Sequence, residues 1–354
     1  MKNLLFLAEN GVALQVRRGS LCVRDSDGTE TLYPARVHGL RSIIMAGRGG
    51  SFTDEAIRWT ARENVALYLM CLNGEAYAVI GEASEGNHRR RGLACRQKQF
   101  AAFLSPRKRL DVARKIVAAK LRTLGLDPVD AREFRHELTG ARKLEEVLIT
   151  EARAGAAYFM RWRSVQLRIR GEVPDHWKGF VTRAGSLIKG HGGMSRARHA
   201  ATPLNAMLNY VYIVGLGQCV RACAGLGLDP CHGFLHAPKR GRSSLAYDVL
   251  ELLRADLTSA VFAHAVRTSF APDAFELNKI GIVSLSPAVA RDMAALALRT
   301  AISECSTQRQ SVYLQDRGDC LGCAASAKGG RSQPVSQADL YELPNAVSEW
   351  PAAA

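Results

Sequence analysis

A histidine and two carboxylates stand close together late in the chain. Gly233-Phe-Leu-His236 closes a short apolar segment, and Arg242-Ser-Ser-Leu-Ala-Tyr-Asp248-Val-Leu-Glu251 leads into a helix. Residues three apart share a helical face, so Asp248 and Glu251 point the same way. Val249, Leu252 and Leu253 are left to face a core. A histidine leading towards an acidic helical face supplies what a divalent-metal site needs, carboxylate oxygens and an imidazole nitrogen. Lys239, Arg240 and Arg242 lie between them. Acidic ligands ringed by bases suit a metal that meets a polyanion, and these three bases are candidate contacts to that polyanion.

A further carboxylate lies upstream. The segment from Arg142 to Gln166 reads as an amphipathic helix, with Leu144, Val147, Leu148, Tyr158 and Phe159 at helical spacing. Glu151, Gly155 and Tyr158 fall on one face, and the glycine predicts a close approach of a second helix to Glu151. Each residue alone is commonplace: most helical glutamates are solvated and most lone histidines bind nothing. The combination within a basic chain is the signal.

Four segments, in order, resemble a known family. Glu151-Ala-Arg-Ala-Gly-Ala-Ala-Tyr-Phe159 resembles the glutamate helix of the CRISPR adaptation integrases, the larger catalytic subunit of the spacer-acquisition complex. Thr202-Pro-Leu-Asn-Ala-Met-Leu-Asn-Tyr210 resembles that family's Pro-Asn segment. Gly233-Phe-Leu-His236 and Leu245-Ala-Tyr-Asp248-Val-Leu-Glu251-Leu-Leu-Arg254 resemble its histidine and acidic motifs. The likeness extends over roughly residues 1 to 320, with a longer stretch than usual from Arg170 to Ala200. It implies that Glu151, His236 and Glu251 are ligands of Mg²⁺ or Mn²⁺, with Asp248 in or beside that shell as an orienter or a general base. It also implies a homodimer, commonly two dimers bridged by a small partner subunit. The reaction implied is metal-dependent phosphodiester transesterification, in which the 3′-hydroxyl ends of a short DNA duplex are joined to a repeat. Two other readings fit the residues: a metal-dependent structure-specific endonuclease or transposon-type integrase on the same scaffold, and a non-catalytic DNA-binding scaffold. CRISPR subtype, repeat sequence and inserted length are not written in these motifs.

Composition agrees with a nucleic-acid partner. The chain carries a formal charge of +15, and such a surplus favours polyanions. It is also local: from His88 to Thr123 there are twelve Lys or Arg, Arg89, Arg90 and Arg91 among them, against one acid, Asp111. The start of the chain has too short an apolar run for a signal peptide, and no run reaches membrane-spanning length, so a cytoplasmic protein is expected. Nine cysteines in mostly apolar surroundings suit reduced thiols. Cys320-Leu-Gly-Cys323 is half of a zinc site or a redox pair at most, since no second pair follows.

The elements that must position these groups fall into two blocks. Residues 1–83 read as short strands around one helix, Asp54 to Glu63, with Asn73-Gly74 as a hairpin turn. This predicts a small β-sandwich-like domain, for which the family resemblance implies a role in dimerisation. Residues 84–92 form a polar linker, residues 93–323 an all-α catalytic domain, and residues 324–354 a tail without periodicity. Pro203 to Leu226 is apolar on all sides and is expected at the domain's centre, with Gly215 and Gly217 permitting close helix packing. The fold class expected is therefore α+β.

Overall fold

Alternating apolar residues build the first part of the fold. The computed structural model describes residues 3–80, 88–180, 200–240, 242–279 and 281–306, the side chains of 88–92 and 302–306 excepted. Strands β1 (Leu4–Leu7), β2 (Ala13–Arg17), β3 (Ser20–Arg24), β4 (Glu30–Tyr33), β5 (Ser42–Met45) and β6 (Ser51–Phe52) precede helix α1 (Asp54–Arg62), and β7 (Ala66–Met70) and β8 (Ala76–Ile80) follow it. They form two four-stranded sheets, ordered β1-β5-β7-β8 and β4-β3-β2-β6. The β2–β3 hairpin turns on Arg18 and Gly19, both at positive φ, which matches the twist of the flanking strands. Gly74, at φ +83°, makes the turn expected between β7 and β8. Strands β1 and β6 were not anticipated. The first is a four-residue apolar run, and the second has only two residues, one of them Phe52 on the surface.

Side chains alternate across a strand, and here both faces of one sheet are used. Ile43, Met45 and Leu67 turn inwards to Leu14, Leu21, Val23 and Trp59, the core of the sandwich. Ile44, Ala66, Tyr68 and Met70 turn the other way and join the core of the helical region. The two blocks are thus sealed face to face by a buried sheet surface.

The helical part comprises α2 (His88–Leu104), α3 (Pro106–Thr123), α4 (Pro128–Gly140), α5 (Leu144–Met160), α6 (Pro203–Gly225), α7 (Ser244–Arg267) and α8 (Pro287–Ser306). Short strands β9 (Arg168–Ile169) and β10 (Ser269–Phe270) pair in parallel, and β11 (Phe275–Leu277) pairs antiparallel with β12 (Val283–Leu285). Helices α3, α4 and α6 start alike, with Ser105, Asp127 or Thr202 accepting a hydrogen bond from a first-turn N–H and proline at the first helical position. Helix α2 begins at His88, inside the segment expected as linker; residues 81–87 lie outside the described residues. Helix α5 stops at Met160 rather than continuing to Gln166. Beyond it the chain tightens, Arg161 N–H bonding Tyr158 O and Trp162 N–H bonding Phe159 O, and the Trp162 ring stacks on Phe262 at 4.1 Å.

Helix α6 is the centre. It packs against α7, α8 and the buried face of the first sheet. Gly215 and Gly217 serve the close packing expected of them: a Cβ on Gly217 would lie 2.2 Å from Tyr68 Cε1, and one on Gly215 would lie 3.0 Å from Leu257 Cδ1. Of the cysteines described, Cys22, Cys219 and Cys223 are buried and Cys231 is exposed; none forms a disulfide. Among the described residues no helix is long and apolar enough to cross a membrane. Cys320, Cys323 and the tail 324–354 lie outside the described residues.

Candidate active site

Three helices meet where the acidic residues cluster. Helix α3 brings Lys120, α5 brings Glu151, and α7 brings Asp248, Glu251 and Arg254. Helix α3 packs on both α5 and α7, and the Tyr158 hydroxyl, donating to Ala255 O at 3.1 Å, ties α5 to α7. Gly155 takes no part in this approach, because a Cβ there would meet nothing within 4 Å. The expected close contact at that glycine is therefore corrected: Tyr158 and α3 set the spacing instead.

The acidic face of α7 points inwards. Asp248 is 0% and Glu251 1% exposed, while Val249 and Leu252, expected in the core, are only partly covered. Buried charges require partners, and each carboxylate has a different set.

Asp248 organises a loop. Its Oδ2 accepts from the N–H groups of Phe234 (2.6 Å) and Leu235 (3.0 Å), and its Oδ1 from the N–H of His236 (2.9 Å). Oδ1 also lies 2.7 Å from His236 Nδ1. A carboxylate can only accept, so Nδ1 carries the proton, and in the neutral form of the ring it is Nε2 that keeps the lone pair. Gly233 is needed here, since a Cβ would stand 2.7 Å from the Ser244 carbonyl carbon. Two α-helical side chains pin the same loop. Gln99 donates to Asp229 O (2.8 Å) and His232 O (2.9 Å) and accepts from Asp229 N–H (2.8 Å), while Arg109 donates to Phe234 O at 3.0 Å.

Glu251 sits between two cations. Arg254 Nη1 donates to its Oε1 at 2.5 Å, and the same guanidinium stacks 4.9 Å from the Tyr212 ring centroid. Lys120 Nζ lies 2.5 Å from Oε2 and also hydrogen-bonds Glu151 Oε1. The approach to Oε2 is close but badly angled, so this oxygen accepts no directed hydrogen bond. Burial pushes the Glu251 carboxyl up, but Arg254 and Lys120 outweigh it and hold it at about 2. Lys120 is itself only 4% exposed.

The structure thus brings Glu151 and Glu251 together around one ammonium and places Asp248 against His236. It does not gather three ligands: among the described residues no three His, Cys, Asp or Glu side chains lie close enough to hold a metal. The donor set nevertheless fits a hard divalent cation. Two carboxylate oxygens already converge on a positive charge, one of them accepts no directed hydrogen bond, and the imidazole beside them has its Nε2 lone pair free of Asp248. Around the site, Lys239 and Arg240 are exposed, and Arg242 lies over the Tyr247 ring at 4.9 Å. The side chains of Arg89, Arg90 and Arg91 lie outside the described residues.

Sequence reasoning assigns no place in the site to Lys120, Arg254, Gln99 or Arg109, although Lys120 and Arg109 of α3 count among the chain's clustered bases and Arg254 closes the acidic motif. Lys120 had a signal. It shares a stripe with Ala113, Val117, Leu121 and Leu124, all buried, so a core-facing position of α3 carried a charge. Arg254 follows Glu251 by three residues, one helical turn.

The family described as "CRISPR associated protein Cas1" matches residues 5–125 and 129–296. A CRISPR-associated endonuclease Cas1 of Thermus thermophilus is 30% identical over 281 residues, 78% of this chain and 80% of that protein. Another, from Archaeoglobus fulgidus, is 28% identical over 266 residues, 71% and 74% of the respective chains. Among solved structures, a casposase bound to integration product shares the fold with a TM-score of 0.71 at 23% identity, covering 84% of this chain and 82% of that one.

Proposed function

Because this chain belongs to the Cas1 family of CRISPR-associated proteins, we propose that it is a metal-dependent DNA integrase that joins the 3′-hydroxyl ends of a short duplex to a repeat by transesterification. The observation that carries this reading is the convergence of Glu151 and Glu251 on one cation beside a histidine whose tautomer Asp248 fixes. Relatives named as endonucleases support the nucleic-acid chemistry.

Glu151, Glu251 and His236 Nε2 would hold Mg²⁺ or Mn²⁺. Such an ion, when bound, polarises the scissile phosphate and neutralises charge on the entering and leaving oxygens. The chain's own residues do the rest. Asp248 keeps the His236 ring oriented, as the outer partner of a ligand does. Arg254, stacked on Tyr212, fixes the Glu251 carboxylate. Lys239, Arg240 and Arg242 are placed to neutralise backbone phosphates of the DNA. No protein nucleophile is required. The Tyr158 hydroxyl is committed to Ala255 O and the Tyr247 ring lies under Arg242, and in this reading the attacking oxygen is supplied by the DNA end. The family also implies a homodimer with a small partner subunit, and a solved Cas6-RT-Cas1–Cas2 complex contains a chain of this fold.

The test is strand transfer into a supercoiled plasmid with Mg²⁺ or Mn²⁺. A 3′-OH donor duplex joins, a 3′-deoxy donor does not, and Glu251→Ala abolishes joining while retaining DNA binding. Cutting that ignores the donor end would favour the endonuclease reading, and a protein–DNA adduct would overturn both. Wild-type joining by Glu251→Ala at low metal would remove Glu251 from the site.

A further inference from the structure

Lys120 stands where a cation between the two glutamates would stand. Its Nζ is 2.5 Å from Glu251 Oε2 and hydrogen-bonded to Glu151 Oε1, and a divalent ion held by Glu151 and Glu251 would draw on the same two carboxylates. An ammonium and a metal ion cannot share that position. The charge balance points the same way. Glu151 and Glu251 contribute two negative charges, and Lys120 and Arg254 two positive ones, so the two glutamates are matched charge for charge with no metal present. The lysine is no stray surface base: it is 4% exposed, on a stripe of α3 otherwise made of Ala113, Val117 and Leu121.

We propose that Lys120 is an internal competitor for the divalent cation, an ammonium that holds Glu151 and Glu251 together in the metal-free protein and must leave before a metal can bridge them. The proposal rests on the reading of Glu151 and Glu251 as ligands. It makes the wild-type site reluctant towards free metal. A divalent ion must displace an ammonium that is already paired with both carboxylates. It also makes the ammonium useful afterwards, since the displaced cation is carried on a flexible stem beside the place where a phosphodiester would bind.

The test is Mn²⁺ binding to the full-length protein without DNA, followed by calorimetry or by the electron-paramagnetic signal of free Mn²⁺. Lys120→Met keeps the stem's volume and removes the charge. It is expected to bind Mn²⁺ at least about tenfold more tightly than wild type, whereas Lys120→Arg, which keeps the charge, binds no more tightly. Metal-free Lys120→Met should melt roughly 5 °C or more below wild type, with Mn²⁺ restoring most of the loss. Equal or weaker Mn²⁺ binding by Lys120→Met would overturn the proposal, provided wild-type binding is lost in Glu251→Ala; in that case the ligand reading survives and Lys120 is structural. Wild-type Mn²⁺ binding that ignores Glu251→Ala would overturn both. Should Lys120→Met fail to fold, a crystal structure of the wild type with MnCl₂ decides. An ammonium swung away from both carboxylates supports the competition, and one still paired with both refutes it.

Discussion

Asp248 shows how much of this site rests on one carboxylate. Four donors converge on its two oxygens, three of them backbone N–H groups from consecutive residues of the 234–236 loop. Asparagine there keeps one oxygen and turns an NH₂ towards donors. Asp248→Asn should therefore lose about 1–3 kcal/mol of stability and release the His236 ring, measurable by urea unfolding and by the His236 nitrogen shifts. An unchanged ring signal would show that the loop, not Asp248, orients the histidine. At this scale the sequence was readable where chemistry depends on spacing. The three-residue step from Asp248 to Glu251 and the nearby His236 could be found by inspection. Lys120 was passed over, because a count of basic residues records charge without direction: this base was added to the DNA-facing surplus although its place on an apolar stripe of α3 turns its side chain inwards.

Two helical glycines look alike in sequence and behave oppositely. Gly217 of α6 touches β7, where an added Cβ would lie 2.2 Å from the Tyr68 ring. Gly155 of α5 faces open space. Gly217→Ala should cost about 1–3 kcal/mol or more through overpacking, while Gly155→Ala should stabilise by about 0.5–1 kcal/mol through helix propensity. Denaturant titration of both variants checks the pair, and the same sign for both would contradict the packing described. Element types were largely legible because the periodicities differ and because Ser105-Pro106, Asp127-Pro128 and Thr202-Pro203 announce helix starts. What failed were features set by tertiary contact. The end of α5 is fixed by Trp162 stacking on Phe262, and β1 exists because it pairs with β5.

For the molecule as a whole, charge is the long-range quantity. The net +15 is carried partly by bases that face solvent beside the site, Lys239 and Arg240 among them. Replacing both by Ala should weaken DNA binding of any sequence and lower the slope of log K against log salt by up to about two units; an unchanged slope would mean that neither contacts phosphate. The change from strand and turn signals to helical periodicity was visible in the sequence, but not the seam between the two blocks. Tyr68 reads as one more strand residue, yet its hydroxyl accepts from Gln218 at 2.5 Å and its ring closes against α6.

The loop bearing His236 is pinned by partners far away along the chain: Gln99 reaches Asp229 across 130 positions, and Arg109 reaches Phe234 across 125. Local segments close quickly and distant ones slowly. A ribosome making this protein releases α2, α3 and α5 long before Asp248 exists. Until α7 emerges, Lys120 can meet Glu151 but not Glu251, and the histidine has nothing to hold it. The nascent chain therefore carries most of its positive charge for a time before the buried acidic cluster is assembled.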